Sequence, residues 1–157
     1  MRNATSSHAV QDAPSGGVYL DSSALAKLYV PEPESDRLEA FLRGRRDLLI
    51  SELTLTEILS AAARRRREGA LSPYQANEIR EALLADADSG SFQRLSLDPV
   101  VHRVAERLLF ALESLPLRTL DALHIAVALC ASATYIATYD ARMREAATRA
   151  GLRVIEV

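Results

Sequence analysis

Four carboxylates occupy places where a chain of this kind can use them for chemistry: Asp21, Glu57, Asp121 and Asp140. Asp21 closes the short apolar run Val18-Tyr-Leu, and Asp140 closes the β-rich run that starts at Thr134. In open α/β sheets, ligands bind beyond the carboxyl ends of the strands. Asp121 sits in the first turn of a strongly apolar segment, where an acid is costly. Glu57 follows about one helical turn after Ser51 and Thr54, either of which can cap a helix. Four carboxylates that share a pocket raise one another's pKa values and destabilise the fold unless a cation neutralises them. All-oxygen ligation, with a single cysteine and no paired histidines, points to Mg2+ or Mn2+ and away from zinc.

Each acid also has a purely structural explanation. Asp121 suits the macrodipole of its own helix, Asp140 can cap a helix beginning at Ala141, and Glu57 can face solvent. Capping acids are commoner than catalytic ones, so only the repetition of the placement favours chemistry. His124, one turn beyond Asp121, reaches either the pocket rim or a structural hydrogen bond.

The elements that must position these groups alternate along the chain. Strands are expected at Val18–Asp21, Asp47–Ile50, Phe92–Leu97, Thr134–Asp140 and Arg153–Val157. The helix from Ser22 to Tyr29 is stopped by Pro31 and Pro33, and a second runs from Glu34 to Arg43 with Leu38, Phe41 and Leu42 inward. Leu55, Ile58, Leu59 and Ala62 mark the buried side of a helix ending at Arg67, and Ser72-Pro73 opens another that reaches about Asp88. Pro99–Leu115 is amphipathic, through Val101, Val104, Ala105, Leu108, Leu109 and Leu112. The next helix, capped by Thr119, carries Leu120, Leu123, Ile125, Val127 and Leu129 and has hardly any polar face. After Asp140, Met143, Ala146 and Ala147 point inward and Gly151 ends the helix. This alternation predicts an α/β three-layer sandwich, a mainly parallel central sheet with helices on both faces. Strand carboxyl ends and helix amino ends then share one edge, where all four acids can converge.

Length and composition restrict the rest. The chain has 157 residues, 48% of them hydrophobic and 25% charged, which suits one domain over residues 18–157. Residues 1–17 show no periodicity and read as a disordered N-terminal extension. Net charge is −2, so nucleic acid must be drawn by a local patch and not by a global field. Lys27 is the one lysine among 19 basic residues. Arg64-Arg-Arg-Arg67 is either a dipole-favoured helix end or a phosphate clamp. Cys130 reads as a buried small hydrophobe. No apolar run is long enough to span a bilayer and no signal-peptide core is present, so a cytoplasmic location is expected.

Asp21-Ser-Ser-Ala-Leu, Glu57 after Ser51 and Thr54, Leu117-Arg-Thr-Leu-Asp-Ala-Leu-His-Ile-Ala126 and Thr138-Tyr-Asp140 together resemble the PIN-domain ribonucleases, with the VapC-type toxins of prokaryotic toxin-antitoxin pairs nearest. The resemblance covers about residues 18 to 157, and the stretch around Asp121 is its most specific part. It implies that Asp21, Glu57, Asp121 and Asp140 are the metal-binding and catalytic acids, with Ser23 and Thr138 as polar neighbours. It further implies a metal-dependent endoribonuclease that acts as a toxin, a homodimer, and a small cognate antitoxin as partner. Magnesium held by carboxylates can polarise a phosphodiester, lower the pKa of a bound water and stabilise the leaving oxygen. Two other readings compete. One is a non-catalytic RNA-binding or scaffold module, which would have no reason to keep four mutually repelling acids. The other is a haloacid-dehalogenase-like phosphohydrolase, which usually wants a second aspartate where this chain has Ser23.

Overall fold

All three residues of β1 (Val18–Leu20) are buried, as suits a central strand of a parallel sheet covered on both faces. The computed structural model describes residues 16–155. Further along the chain come α1 (Ser22–Leu25), a 3-10 turn (Ala26–Leu28), α2 (Ser35–Leu42), β2 (Leu48–Ser51), α3 (Glu52–Arg67), α4 (Pro73–Asp88), β3 (Gln93–Leu95), α5 (Pro99–Ala111), α6 (Thr119–Cys130), β4 (Tyr135–Ala137), α7 (Ala141–Arg149) and β5 (Arg153–Ile155). The five strands form one sheet in the order β3-β2-β1-β4-β5, and every pairing is parallel.

Alternation along the strands splits the core in two. Val18, Leu20, Leu48 and Ile50 face one layer, with Leu25, Leu38, Leu55, Ile58 and Leu83 from α1 to α4. Tyr19 and Leu49 face the other, with Val101 and Ala105 of α5, most of α6, and Met143, Ala146 and Ala147 of α7. This is the expected three-layer sandwich. Its strand order reverses between β1 and β4, and such a switch point opens a crevice beyond the carboxyl ends of the two strands. Asp21 directly follows β1, and Thr138 directly follows β4.

Local capping agrees closely with the sequence in two places. Ser51 caps α3 in a capping box with Thr54, and Ser72 caps α4 in one with Gln75, each box worth ~1 kcal/mol. Gly69 and Gly151 adopt φ 76° and 96° just past α3 and α7, the left-handed turn that ends a helix without a Cβ penalty.

Several expectations are corrected. Strands β3 and β4 are three residues each, because the flanking residues turn away to cap or connect helices, and β5 is described over Arg153–Ile155. The helix after Asp21 tightens from α into 3-10 geometry at Ala26. Thr119 is the first helical residue of α6 and not its cap; Arg118 holds that position, and its N–H donates to Asp121 Oδ2 at 3.1 Å. Leu120 is 44% exposed, because burial in α6 begins only at Asp121 and continues to Ala128. Cys130 is exposed as well, lying on the last turn beyond that buried run. It should therefore react with a thiol reagent in the folded protein, and a thiol reactive only after denaturation would contradict this placement. The expected extension at 1–17 lies outside the described residues except for Gly16 and Gly17; the Gly17 carbonyl accepts from the Thr134 and Tyr135 N–H groups. Glu156 and Val157 also lie outside them. Among the described residues no helix is long and apolar enough to cross a membrane.

Candidate active site

Asp21, Glu57, Asp121 and Asp140 line one cavity of about 420 Å³ at the switch point, together with Ser22, Ser23, Arg118, Leu120, His124 and Met143. The structural and the chemical explanations of the acids turn out to coexist. Asp140 caps α7, its Oδ1 accepting from the N–H groups of Arg142 (2.8 Å) and Met143 (3.2 Å), while it also lines the cavity. Asp121 folds back onto Arg118 N–H through Oδ2, and its Oδ1 has no hydrogen-bond partner among the described residues.

Asp21 is the most constrained of the set. Only 1% of it is exposed, and Oδ1 accepts from Ala24 N–H (2.9 Å) and the Ser23 hydroxyl (2.8 Å), while Oδ2 accepts from the Thr138 hydroxyl (2.6 Å). Ser23 Oγ in turn accepts from Tyr139 N–H at 2.8 Å and Thr138 Oγ1 from Asp140 N–H at 3.1 Å, so the two hydroxyls join the loops after β1 and β4. Lys27 grips the same loop from behind: it pairs with Glu32 and Glu34 and lies 4.3 Å from the centre of the Tyr139 ring. Sequence reasoning saw only an isolated lysine here, because nothing local signals a contact between the segments that follow β1 and β4.

Electrostatics distinguish the acids. Burial pushes the Asp21 carboxyl above its ordinary value, and the hydrogen bonds from Thr138, Ala24 and Ser23 only partly oppose this. Burial also pushes Glu57 upward, yet the hydrogen bonds of His124 and the Ser22 hydroxyl leave it below its ordinary value. His124 is buried and joins Glu57 Oε2 through Nε2 at 2.5 Å, so it is both a hydrogen-bonder and part of the cavity wall. Tyr19, read from the sequence only as an apolar strand residue, reaches His124 Nδ1 with its hydroxyl at 2.7 Å.

The fit of a divalent ion rests on this donor set. Among the described residues neither Asp21 nor Asp121, both buried, has a basic partner within ion-pair range, which leaves two carboxylates for a cation to neutralise. The oxygens are of the hard kind that magnesium and manganese prefer. Among the described residues, however, no three Asp, Glu, His or Cys side chains stand close enough to hold one ion by themselves. That combination suits magnesium in particular, which retains several waters and is usually bound through one or two carboxylates plus substrate phosphate. It does not suit a closed, all-protein cage.

Arg64 to Arg67 are exposed at the end of α3, and none has an ion-pair partner among the described residues. Arg65 lines a second, mostly apolar cavity of about 260 Å³ that shares Ser22, Ser23 and Glu57 with the first.

Comparison with known proteins agrees with this architecture. The PIN domain family model matches residues 18–149. Ribonuclease VapC46 of Mycobacterium tuberculosis is 38% identical over 140 residues, covering 88% of this chain and 95% of that protein. Among solved structures, FitAcB from Neisseria gonorrhoeae superposes with a TM-score of 0.68 at 19% identity, over 88% of this chain and 96% of its own. A toxin-antitoxin complex from Klebsiella pneumoniae gives 0.61 at 17% identity, over 89% and 97%.

Proposed function

The chain belongs to the PIN-domain family, and from that premise we propose that it is the endoribonuclease toxin of a toxin-antitoxin pair, dependent on Mg2+ or Mn2+. Membership sets aside the dehalogenase-like alternative. The observation that carries the reading is the cavity at the β1/β4 switch point, where four carboxylates on four different elements meet and two buried ones lack a basic partner. A scaffold gains nothing from such repulsion.

The ion, when bound, supplies Lewis acidity and a bound water of lowered pKa for attack on the phosphodiester. Asp21, Asp121, Asp140 and Glu57 would hold it, one or two of them directly and the others through its retained waters. Asp21 is fixed by three donors and cannot rotate away, so it presents a rigid anchor. Ser23 and Thr138 maintain that orientation and keep Asp140 at a fixed distance across the switch point. Glu57, held below the ordinary carboxylate range, stays ionised at neutral pH and accepts a hydrogen bond from a water on its side of the cavity. Arg65, two turns beyond Glu57 on the same helix and lining the adjoining cavity, would meet an RNA phosphate. Mapping RNA 5′ ends after brief induced expression tests the activity; an unchanged set of ends would refute it.

The inhibitor should act on the same charge. A small antitoxin that passes over the cavity can insert an arginine, which pairs bidentately with two carboxylates and excludes both ion and phosphate. Metal and antitoxin then compete. Its affinity should weaken as magnesium rises at constant ionic strength, measured by a binding isotherm with the small protein encoded beside this one. Affinity independent of magnesium, with nuclease activity retained in the complex, would place inhibition elsewhere.

A further inference from the structure

A buried relay of hydroxyls stands behind Glu57. Ser51 Oγ lies 2.7 Å from Tyr19 Oη, and Tyr19 Oη lies 2.7 Å from His124 Nδ1, while His124 Nε2 faces Glu57 Oε2 at 2.5 Å. Ser51, Tyr19 and His124 are each at most 1% exposed, so water does not substitute for any of these contacts.

The shortest contacts of the relay favour one direction, since Tyr19 Oη lies 3.3 Å from Thr54 Oγ1 but only 2.7 Å from Ser51 Oγ and from His124 Nδ1. Thr54 donates its hydroxyl hydrogen to the Leu20 carbonyl at 3.3 Å, and Ser51 Oγ already accepts from Thr54 N–H at 3.2 Å. The Ser51 hydrogen then goes to its shorter neighbour, the Tyr19 oxygen at 2.7 Å, in preference to Thr54 Oγ1 at 3.2 Å. The Tyr19 phenol carries one hydrogen, which is left for His124 Nδ1 at 2.7 Å. An imidazole that accepts at Nδ1 carries its hydrogen on Nε2, facing the Glu57 carboxylate.

We propose that His124 is a positioning residue for Glu57: the Tyr19 hydroxyl fixes the ring with its hydrogen on Nε2, and that N–H holds one carboxylate oxygen so that the glutamate stays aimed at the cavity. The inference rests on the reading of Glu57 as one of the site's acids and adds how β1 and β2 control it from the opposite face of the sheet. It also explains a polar tyrosine at the centre of an otherwise apolar strand.

Two measurements on the full chain test this. Imidazole nitrogen NMR of the metal-free protein should show His124 protonated at Nε2 alone, and Tyr19→Phe should remove that preference; a ring protonated at Nδ1 in the wild type overturns the proposal. Mn2+ affinity, read by the free-ion electron paramagnetic signal, should fall about tenfold in His124→Leu, the scale for losing a partner behind a ligand. His124→Gln, whose amide can donate from a similar position, should restore most of it. A His124→Leu variant that unfolds at the wild-type temperature and binds Mn2+ as tightly as wild type overturns the proposal, and so does a folded His124→Gln that fails as badly as His124→Leu. A wild-type protein that neither binds Mn2+ nor cleaves RNA would instead refute the proposed function, and the nitrogen shifts would still decide the state of the ring.

Discussion

Asp21→Asn is expected to reduce RNA cleavage to background, a loss on the order of a thousandfold, the scale for removing one preorganised electrostatic group from an active site. The fold should survive and gain stability. An asparagine oxygen can still accept from Ala24 N–H and the Ser23 hydroxyl, and the replacement removes a buried charge that has no basic partner among the described residues. Linkage gives the pH dependence. Because the folded-state pKa of Asp21 lies above its ordinary 3.8, the native state holds this proton longer than the unfolded chain does. The contribution of Asp21 to wild-type stability therefore declines as pH rises from about 3.8 through the raised folded value, and this decline is absent in Asp21→Asn. Glu57 acts in the opposite sense: its contribution is fully present above 4.5 and is lost as pH falls through its lowered folded value. Melting temperatures of both proteins across that range, without metal, should diverge in favour of the variant as pH rises. Asp121→Asn should also abolish cleavage while the protein stays folded, since its oxygen can still accept from Arg118 N–H and preserve the start of α6. Asp98→Asn is the control: Asp98 caps α5 through Val100 and Val101 N–H groups, away from the cavity, and its loss should leave cleavage unchanged. Full cleavage in Asp21→Asn and Asp121→Asn would mean that the site lies elsewhere, and unfolding would reduce the two acids to caps.

Much of this arrangement was legible because it is written in local patterns. Strand, acid and helix start recur at Asp21 and Asp140, and the parallel sheet brings those ends to one edge. The capping signals at Ser51 and Ser72 were equally local. What escaped depends on contacts between residues distant in sequence. The grip of Lys27 on Tyr139 and the approach of Tyr19 to His124 join elements more than a hundred residues apart, and neither periodicity nor propensity encodes such a pairing. Errors at Thr119, Leu120 and Cys130 share one cause: an apolar helix with no polar face gives no signal of which turn emerges from the core.

Removal of divalent ions should have an effect as large as the loss of Asp21, for the same electrostatic reason. A chelator of magnesium and manganese is expected to stop cleavage, either ion should restore it, and a zinc-selective chelator should do nothing, because the acids are hard oxygen donors and both ring nitrogens of the one histidine in the cavity wall are taken by Tyr19 and Glu57. The folded protein should report the ion without any substrate. Binding to the native state alone stabilises by about 2.7 kcal/mol at a hundred times Kd, which for a chain of this size raises Tm by roughly 5–10 °C. This increment should disappear in Asp21→Asn, whose unbound form already lacks the repulsion that the ion relieves. Magnesium should therefore raise the Tm of wild type and leave that of Asp21→Asn where it stands in chelator. Since no three of the acids can enclose an ion unaided, RNA phosphate should complete the coordination, and magnesium affinity should rise when a non-cleavable RNA is present. A divalent-ion titration that moves neither Tm nor cleavage would leave four carboxylates lining one cavity without the cation that their proximity demands, and the proposed chemistry would fail with it.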